Sequence, residues 1–375
     1  MSFLSSSNIN VKSSINLPQY NTTQRDALTK FTGLMIWNTS SSQAEVWNGS
    51  VWKKVEPDQL YNFTSVTFDA GTTGRLAPTQ TQINNAITLG SGTFDFRADS
   101  QLYSVSEGFI LWTVPKNGTY RIDAYGARGA RNSGFSSGVP GLGARIRGDI
   151  SLSRGQVLRI LVGQSGEDGN DTCGGMPGGG GTFVVFNQTS GVYQNTDICV
   201  IAGGGGGAGR QTNFAGTAVS NGDGGQTGTS GTAGKGGNGG PGGANGNGGG
   251  AVTFNGCVPT EGAAGGGFFT DGAGQNGSTN GAGKSFVNGG VGGSGNNNGF
   301  DGGFGGGGGC FDNGYGCGGG GGYSGGGAGG LSNQCSCGYM SGGGGGGSYL
   351  RAGATNTVTT ANTRDGGGRV IITLL

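Results

Sequence analysis

The chain has 375 residues, with 95 Gly, 7 Cys and no His, and its 21 Lys and Arg nearly balance 20 Asp and Glu for a net charge of +1. The lack of His removes Ser-His-Asp and Cys-His nucleophiles, imidazole metal sites and the usual general base near neutral pH, so a non-enzymatic protein without cofactor or metal is expected. There is no basic run, no apolar run near ~18 residues and no basic-then-apolar leader at Met1–Asn8, so neither a nucleic-acid partner, membrane insertion nor a signal peptide is expected.

Residues 1–57 read as a small β-hairpin head. Asn16–Tyr20 is extended around Pro18, and Thr22–Leu28 is a short helix with Thr22 or Thr23 as its N-cap and Asp26 in its first turn. Strands follow at Gly33–Asn38, Gln43–Asn48 and Val51–Val55, the last two joined by the Asn48-Gly49 hairpin signal. Trp37, Trp47 and Trp52 give this unit much apolar area. They form either a self-contained hairpin core or an oligomerisation surface, since an isolated hairpin is marginally stable.

Residues 58–202 alternate in strand fashion at Phe63–Phe68, Gly108–Val114, Thr119–Tyr125, Arg145–Leu152, Gln156–Val162, Thr182–Phe186 and Asp197–Ala202. Only Thr79–Ile87 reads as helical. Arg369–Leu375 is a further strand with no partner near in sequence, so it belongs in the earlier sheet. Residues 58–202 and 348–375 therefore form one split β domain of sandwich or jelly-roll type.

The stretch 203–347 is then an insertion whose ends lie close together. It is a flexible linker by composition, or a bundle of extended three-residue-per-turn glycine helices. Gly236–Ala244 reads Gly-Gly-X three times, and aromatic residues such as Phe268, Phe286 and Phe304 give it material for a core, so the ordered bundle is adopted. Cys173, Cys199, Cys257, Cys310, Cys317, Cys335 and Cys337 are all disulfide candidates, with one left over. A zinc site of Cys310, Cys317, Cys335 and Cys337 is the rival, without zinc-ribbon spacing. Glu167, Asp168 and Asp171 read as solvated loop acids rather than a Ca²⁺ cluster.

Two resemblances follow. Leu17–Leu28, Gly33–Asn38 and Trp47–Trp52 resemble an element of tail-fibre, collar and surface proteins of phages and large DNA viruses, which implies a joint or attachment end. Phe68–Gly74, Pro78–Gln82, Trp112–Pro115, Tyr125–Gly129, Leu161–Asp168 and Asp365–Val370 resemble the extracellular glycine-rich domain of the anaplastic lymphoma kinase and leukocyte tyrosine kinase receptors. That resemblance implies a tumour-necrosis-factor-like jelly roll carrying an inserted polyglycine-II bundle. No ligand-contact residue is carried over from it.

The function expected is a surface or fibre protein of viral or phage type, attached and trimerised through the head, binding a host-surface protein or glycan. The alternatives are a purely structural subunit of a self-assembling fibre and a receptor-ectodomain-like ligand-binding module.

Overall fold

The computed structural model of the protein describes residues 16–55, 59–133, 138–170, 175–209, 220–252, 262–274, 280–295, 300–311, 316–330 and 340–375. The chain forms two compact units, Met1–Asp58 and Gln59–Leu375.

The first unit runs β1 (Gln19–Tyr20), α1 (Thr22–Asp26), β2 (Met35–Asn38), β3 (Gln43–Trp47) and β4 (Trp52–Lys54), with the four strands in one sheet in that order. α1 starts on Asn21, which corrects the expected Thr cap. The Asn21 side chain accepts the Gln24 N–H at 2.9 Å and the Gln24 side chain accepts the Asn21 N–H at 2.9 Å. That reciprocal pair satisfies two donors that the first turn leaves free, which a lone Thr hydroxyl does not. The Asn48-Gly49 hairpin forms as expected: Gly49 takes φ +101° and Asn48 Oδ1 accepts the N–H groups of Ser50 and Val51. Inside the unit, Ile36 is fully buried beside the carboxylate of Glu45, which accepts from Arg25, Asn38, Ser41 and Gln43. Burial alone would raise the Glu45 pKa, but the bonds from Arg25, Gln43 and Asn38 outweigh it and hold the carboxyl below its usual range.

The second unit is mainly β. Its strands are β5 (Ser65–Asp69), β6 (Ile87–Leu89), β7 (Tyr103–Ser106), β8 (Phe109–Thr113), β9 (Gly118–Tyr125), β10 (Gly143–Leu152), β11 (Val157–Leu161), β12 (Thr182–Phe186), β13 (Ile198–Ala202), β14 (Tyr349–Leu350), β15 (Thr355–Arg364) and β16 (Arg369–Leu374). The expected helix is α2 (Gln80–Asn85), between β5 and β6. The strands make two six-stranded antiparallel sheets, ordered β15-β10-β9-β16-β5-β6 and β14-β13-β12-β11-β8-β7. β16 lies between β9 and β5, and β14 pairs with β13, so Ala202 and Tyr349 are close although 203–348 separates them in sequence.

One apolar cluster, including Phe68, Trp112, Tyr120, Ile122, Ile160 and Ile372, draws on both sheets. The second sheet is also buried on its other face. There Phe109, Phe183, Ile198 and Ile201 pack against Phe268, Phe286, Phe304 and Tyr323 of the glycine-rich stretch, with Phe268 and Phe286 stacked at 5.0 Å. This explains why Thr182–Phe186 and Ile198–Ala202 are apolar almost throughout, since a strand covered on both faces has no polar side to show.

The described residues of 203–347 contain no helix or strand, yet their backbone is hydrogen-bonded almost residue by residue. The run 203–209 shows the pattern. Gly204 and Gly207 donate to Gly321 and Gly318, Gly205 and Ala208 to Ala127 and Ala130, and Gly206 and Gly209 to Asp223 and Ser220. Its carbonyls accept with the same three-residue period: from Gly346 and Gly343, from Gly179 and Met176, and from Ala144, Gly141 and Gly138. The run thus has six neighbours, three as donor and three as acceptor. Close approach on every side excludes side chains. A Cβ on Gly205 would sit 1.9 Å from the Gly141 carbonyl oxygen, and one on Gly207 would sit 1.8 Å from that of Met176.

This lattice reaches beyond 203–347, because 126–130, 138–142 and 175–181 are among its segments. Its segments are also continuations of sheet strands. β9 runs on into Gly126, β13 into Gly203 and β11 into Gly163, while 138–142, 175–181 and 342–347 lead into β10, β12 and β14.

Candidate binding surface

Among the described residues no apolar cluster covers the outer face of the first sheet, and strand alternation decides what that face carries. In β9, Tyr120, Ile122 and Ala124 point into the shared core, so Arg121, Asp123 and Tyr125 point out. In β10 the outward set is Arg145, Arg147 and Asp149, with Ile146 and Ile150 in the core. Register then places Arg145, Tyr125, Arg369 and Asp69 in one row across the sheet. The next row is Val358, Arg147, Asp123, Ile371, Thr67 and Thr88, and a third holds Asp149, Arg121, Thr373 and Ser65.

The carboxylates lie low in this grid and the guanidinium groups lie over them. Asp123 takes Nη2 of Arg147 at 2.6 Å and Nη2 of Arg145 at 2.8 Å, with its side chain 4% exposed against 27% for either arginine. Asp149 receives Nε and Nη2 of Arg121 at 2.8 and 2.9 Å and the Asn356 amide at 2.7 Å. The Arg121 hydrogen bonds, aided by Asn356, outweigh burial and hold the Asp149 carboxyl below its usual range. Asp69 is held by Nε and Nη2 of Arg369 at 2.7 and 3.0 Å. Arg145 also covers the Tyr125 ring, 5.4 Å from its centroid. Charge-assisted, forked pairs of this kind fix each arginine in one orientation. The exposed layer therefore offers fixed guanidinium edges, one tyrosine ring and several threonine hydroxyls, a set suited to acidic and hydroxyl-rich ligands. The alternation Arg-x-Asp in β9 and Arg-x-Arg-x-Asp in β10 is visible in the sequence and signals this surface, although sequence reasoning did not single it out.

The candidates singled out from sequence are placed as follows. Trp37 lies with Met35 on one face of the head's sheet, both about two-fifths exposed. Trp47 and Trp52 form a cross-strand pair on the opposite face, with centroids 5.7 Å apart, beneath Lys30 and Arg25. The three tryptophans thus do not converge on one surface. Cys199, in the sandwich core, and Cys317, whose thiol donates to the Ala208 carbonyl at 3.0 Å, are free thiols. Both are fully enclosed by their own packing, and burial pushes both thiols up to about 12. Cys310 is buried with its sulfur 3.6 Å from the Phe300 carbonyl. Cys173, Cys257, Cys335 and Cys337 lie outside the described residues. Asp168 accepts from Arg128 and from the Arg131 N–H, and no metal-binding group of three such residues occurs among the described residues; Asp171 lies outside them.

No helix among the described residues is long and apolar enough to cross a membrane. No protein-family model matches the chain. Over 131 residues the chain is 37% identical to the leukocyte tyrosine kinase receptor of Mus musculus, which covers 33% of this chain and 14% of the receptor.

Proposed function

We propose that the protein is a non-enzymatic extracellular binding module of a viral or phage-type fibre, engaging a host-surface protein or glycan through the outer face of its first sheet. The observation that carries this reading is the contrast between the two sheets. The second is covered on both faces, whereas the first shows solvent an ordered array of arginine, tyrosine and threonine over buried carboxylates. In this reading the sandwich is a jelly roll of the tumour-necrosis-factor type. The lattice is a polyglycine-II bundle, as the three-residue period and six neighbours of 203–209 suit a helix of three residues per turn. The head is the attachment end and assembles a trimer, with Met35 and Trp37 as its contact face.

The test is binding of the full chain to an array of glycans and host-surface proteins, with Thr67→Glu as the variant. Thr67 is half-buried in the middle row, so a carboxylate there cancels the single net positive charge of the array without disturbing the core. Saturable binding that weakens with salt, and about tenfold with Thr67→Glu, is the expected result. Binding indifferent to both would sink the reading. Light scattering on the same chain should give a discrete trimer that Trp37→Ala dissociates. Open-ended growth would favour a structural fibre subunit instead. A second reading, a receptor-ectodomain-like ligand-binding module, is favoured by the 37% identity to a receptor over part of the chain.

A further inference from the structure

Two stretches far apart in sequence, Phe68–Gly74 and Asp365–Val370, meet at one corner of the first sheet because Asp69 pairs with Arg369 across β5 and β16. They line an open cavity of about 240 Å³, bounded by Asp69 to Thr73, Arg364, Gly367 and Gly368. The chain turns sharply on both sides of it, with Gly71 at φ +71° and Gly366 at φ +126°.

The groups around this cavity are short of an acceptor. Asp69 is already held by both Nε and Nη2 of Arg369. Arg364 reaches the same carboxylate only through Nη2, at 3.5 Å, and spends its Nε on the Gly367 carbonyl at 2.8 Å. The adjacent Asp365 is engaged by Arg128 and Arg131, so at this corner two guanidinium charges face one carboxylate, and Arg364 is three-quarters buried. Burial first, then the neighbouring Arg369, lowers the Arg364 pKa, in keeping with a cation that lacks a full counter-charge.

We propose that this corner is a binding site for a single carboxylate, held by the Nη1–Nη2 edge of Arg364. A guanidinium edge matches the two oxygens of a carboxylate. The +1 balance suits a monoanion, while the Asp69 wall disfavours a phosphate dianion. The cavity has room for the carboxylate and part of a sugar ring, so the group can come from an acidic sugar or from a small free organic acid.

Calorimetric titration of the full chain tests this, with glucuronate and N-acetylneuraminate in one arm, acetate and lactate in a second, and glucose and inorganic phosphate as controls. The expected result is saturable binding by carboxylates and none by glucose. Arg364→Gln should weaken it about tenfold or more, and Arg364→Lys should restore part of it. Sugar acids binding more tightly than acetate would identify the sugar as the source, and equal affinities would identify a small free acid. A Tm measured for each variant separates loss of the site from loss of the fold. No saturable binding by any carboxylate, or carboxylate binding unaltered by Arg364→Gln in a folded variant, would overturn the proposal. The outcome is separable from the reading of the open sheet face, because Arg364→Gln leaves Arg121, Asp123, Arg145 and Arg147 in place, so loss of carboxylate binding with host-surface binding retained would assign the two sites separately.

Discussion

The sandwich and the glycine lattice belong to one compact unit but are held together by opposite means. The sandwich buries side chains such as Trp112, Phe68 and Tyr120, and its backbone bonds run between strand pairs. The lattice buries backbone. Each run satisfies its N–H and C=O groups on several neighbours, and most of its contacts have no side chain at all. Hydrophobic area is therefore the main stabilising term in the first, and close backbone hydrogen bonding in the second. The lesson concerns tolerance: a methyl group is a small loss when removed from one region and a collision when added to the other.

The sharpest way to break this comparison is Gly205→Ala. Its Cβ would lie 1.9 Å from a backbone oxygen that six-sided packing cannot move, so a loss of about 4 kcal/mol or more is expected by denaturant melting. Phe68→Ala, which empties a core position in the sandwich, should cost about 3–5 kcal/mol, with a cavity in place of a clash. Gly228→Ala is the control within the glycine-rich stretch. Nothing lies within 4 Å of its Cβ, so the change should be neutral or stabilise by a few tenths of a kcal/mol through the unfolded chain. A strongly destabilised Gly228→Ala would show that backbone freedom, rather than contact, limits this region.

A smaller effect is expected on the charged face. The Asp149 carboxyl is held below its ordinary value in the folded state. Its contribution is thus present above the unfolded pKa of about 3.9 and is lost as pH falls through the folded one. Arg121→Ala should lower Tm at neutral pH, and the gap from wild type should close on acidification below about pH 4. A gap independent of pH would mean that Arg121 acts through packing alone. The smallest signal is chemical. Cys199 reports on the sandwich and Cys317 on the lattice, and both thiols are buried and pushed up to about 12. In variants keeping one or the other, alkylation at neutral pH should be slow and proceed at one common rate. Faster labelling of Cys317 would show that the lattice opens without the sandwich.

Much of the sandwich was legible in the sequence because alternation reports a face covered on one side. Thr119–Tyr125 and Arg145–Leu152 show it, and the paired apolar runs at 182–186 and 198–202 mark strands covered on both sides. β15 was missed for the same reason. Thr355–Arg364 is exposed along almost all its length, so no apolar period marks it, and its pairing with β10 carries two irregularities. The reach of the lattice was missed because 126–130 and 138–142 look like turns until their partners are known. The candidate surface was half legible. The charges alternate in the sequence, but which carboxylate each arginine holds depends on register between strands far apart in the chain.

The passage of strands into lattice without an intervening loop has a mechanical consequence. β9, β11 and β13 continue into lattice segments, and lattice segments lead into β10, β12 and β14, so tension along these segments enters both sheets along the strand axes. Ladder bonds lie across those axes, so such a pull loads many of them at once in shear instead of peeling them one by one. The seam between the two materials is thereby reinforced like a splice in a rope, with fibres of one running on into the other.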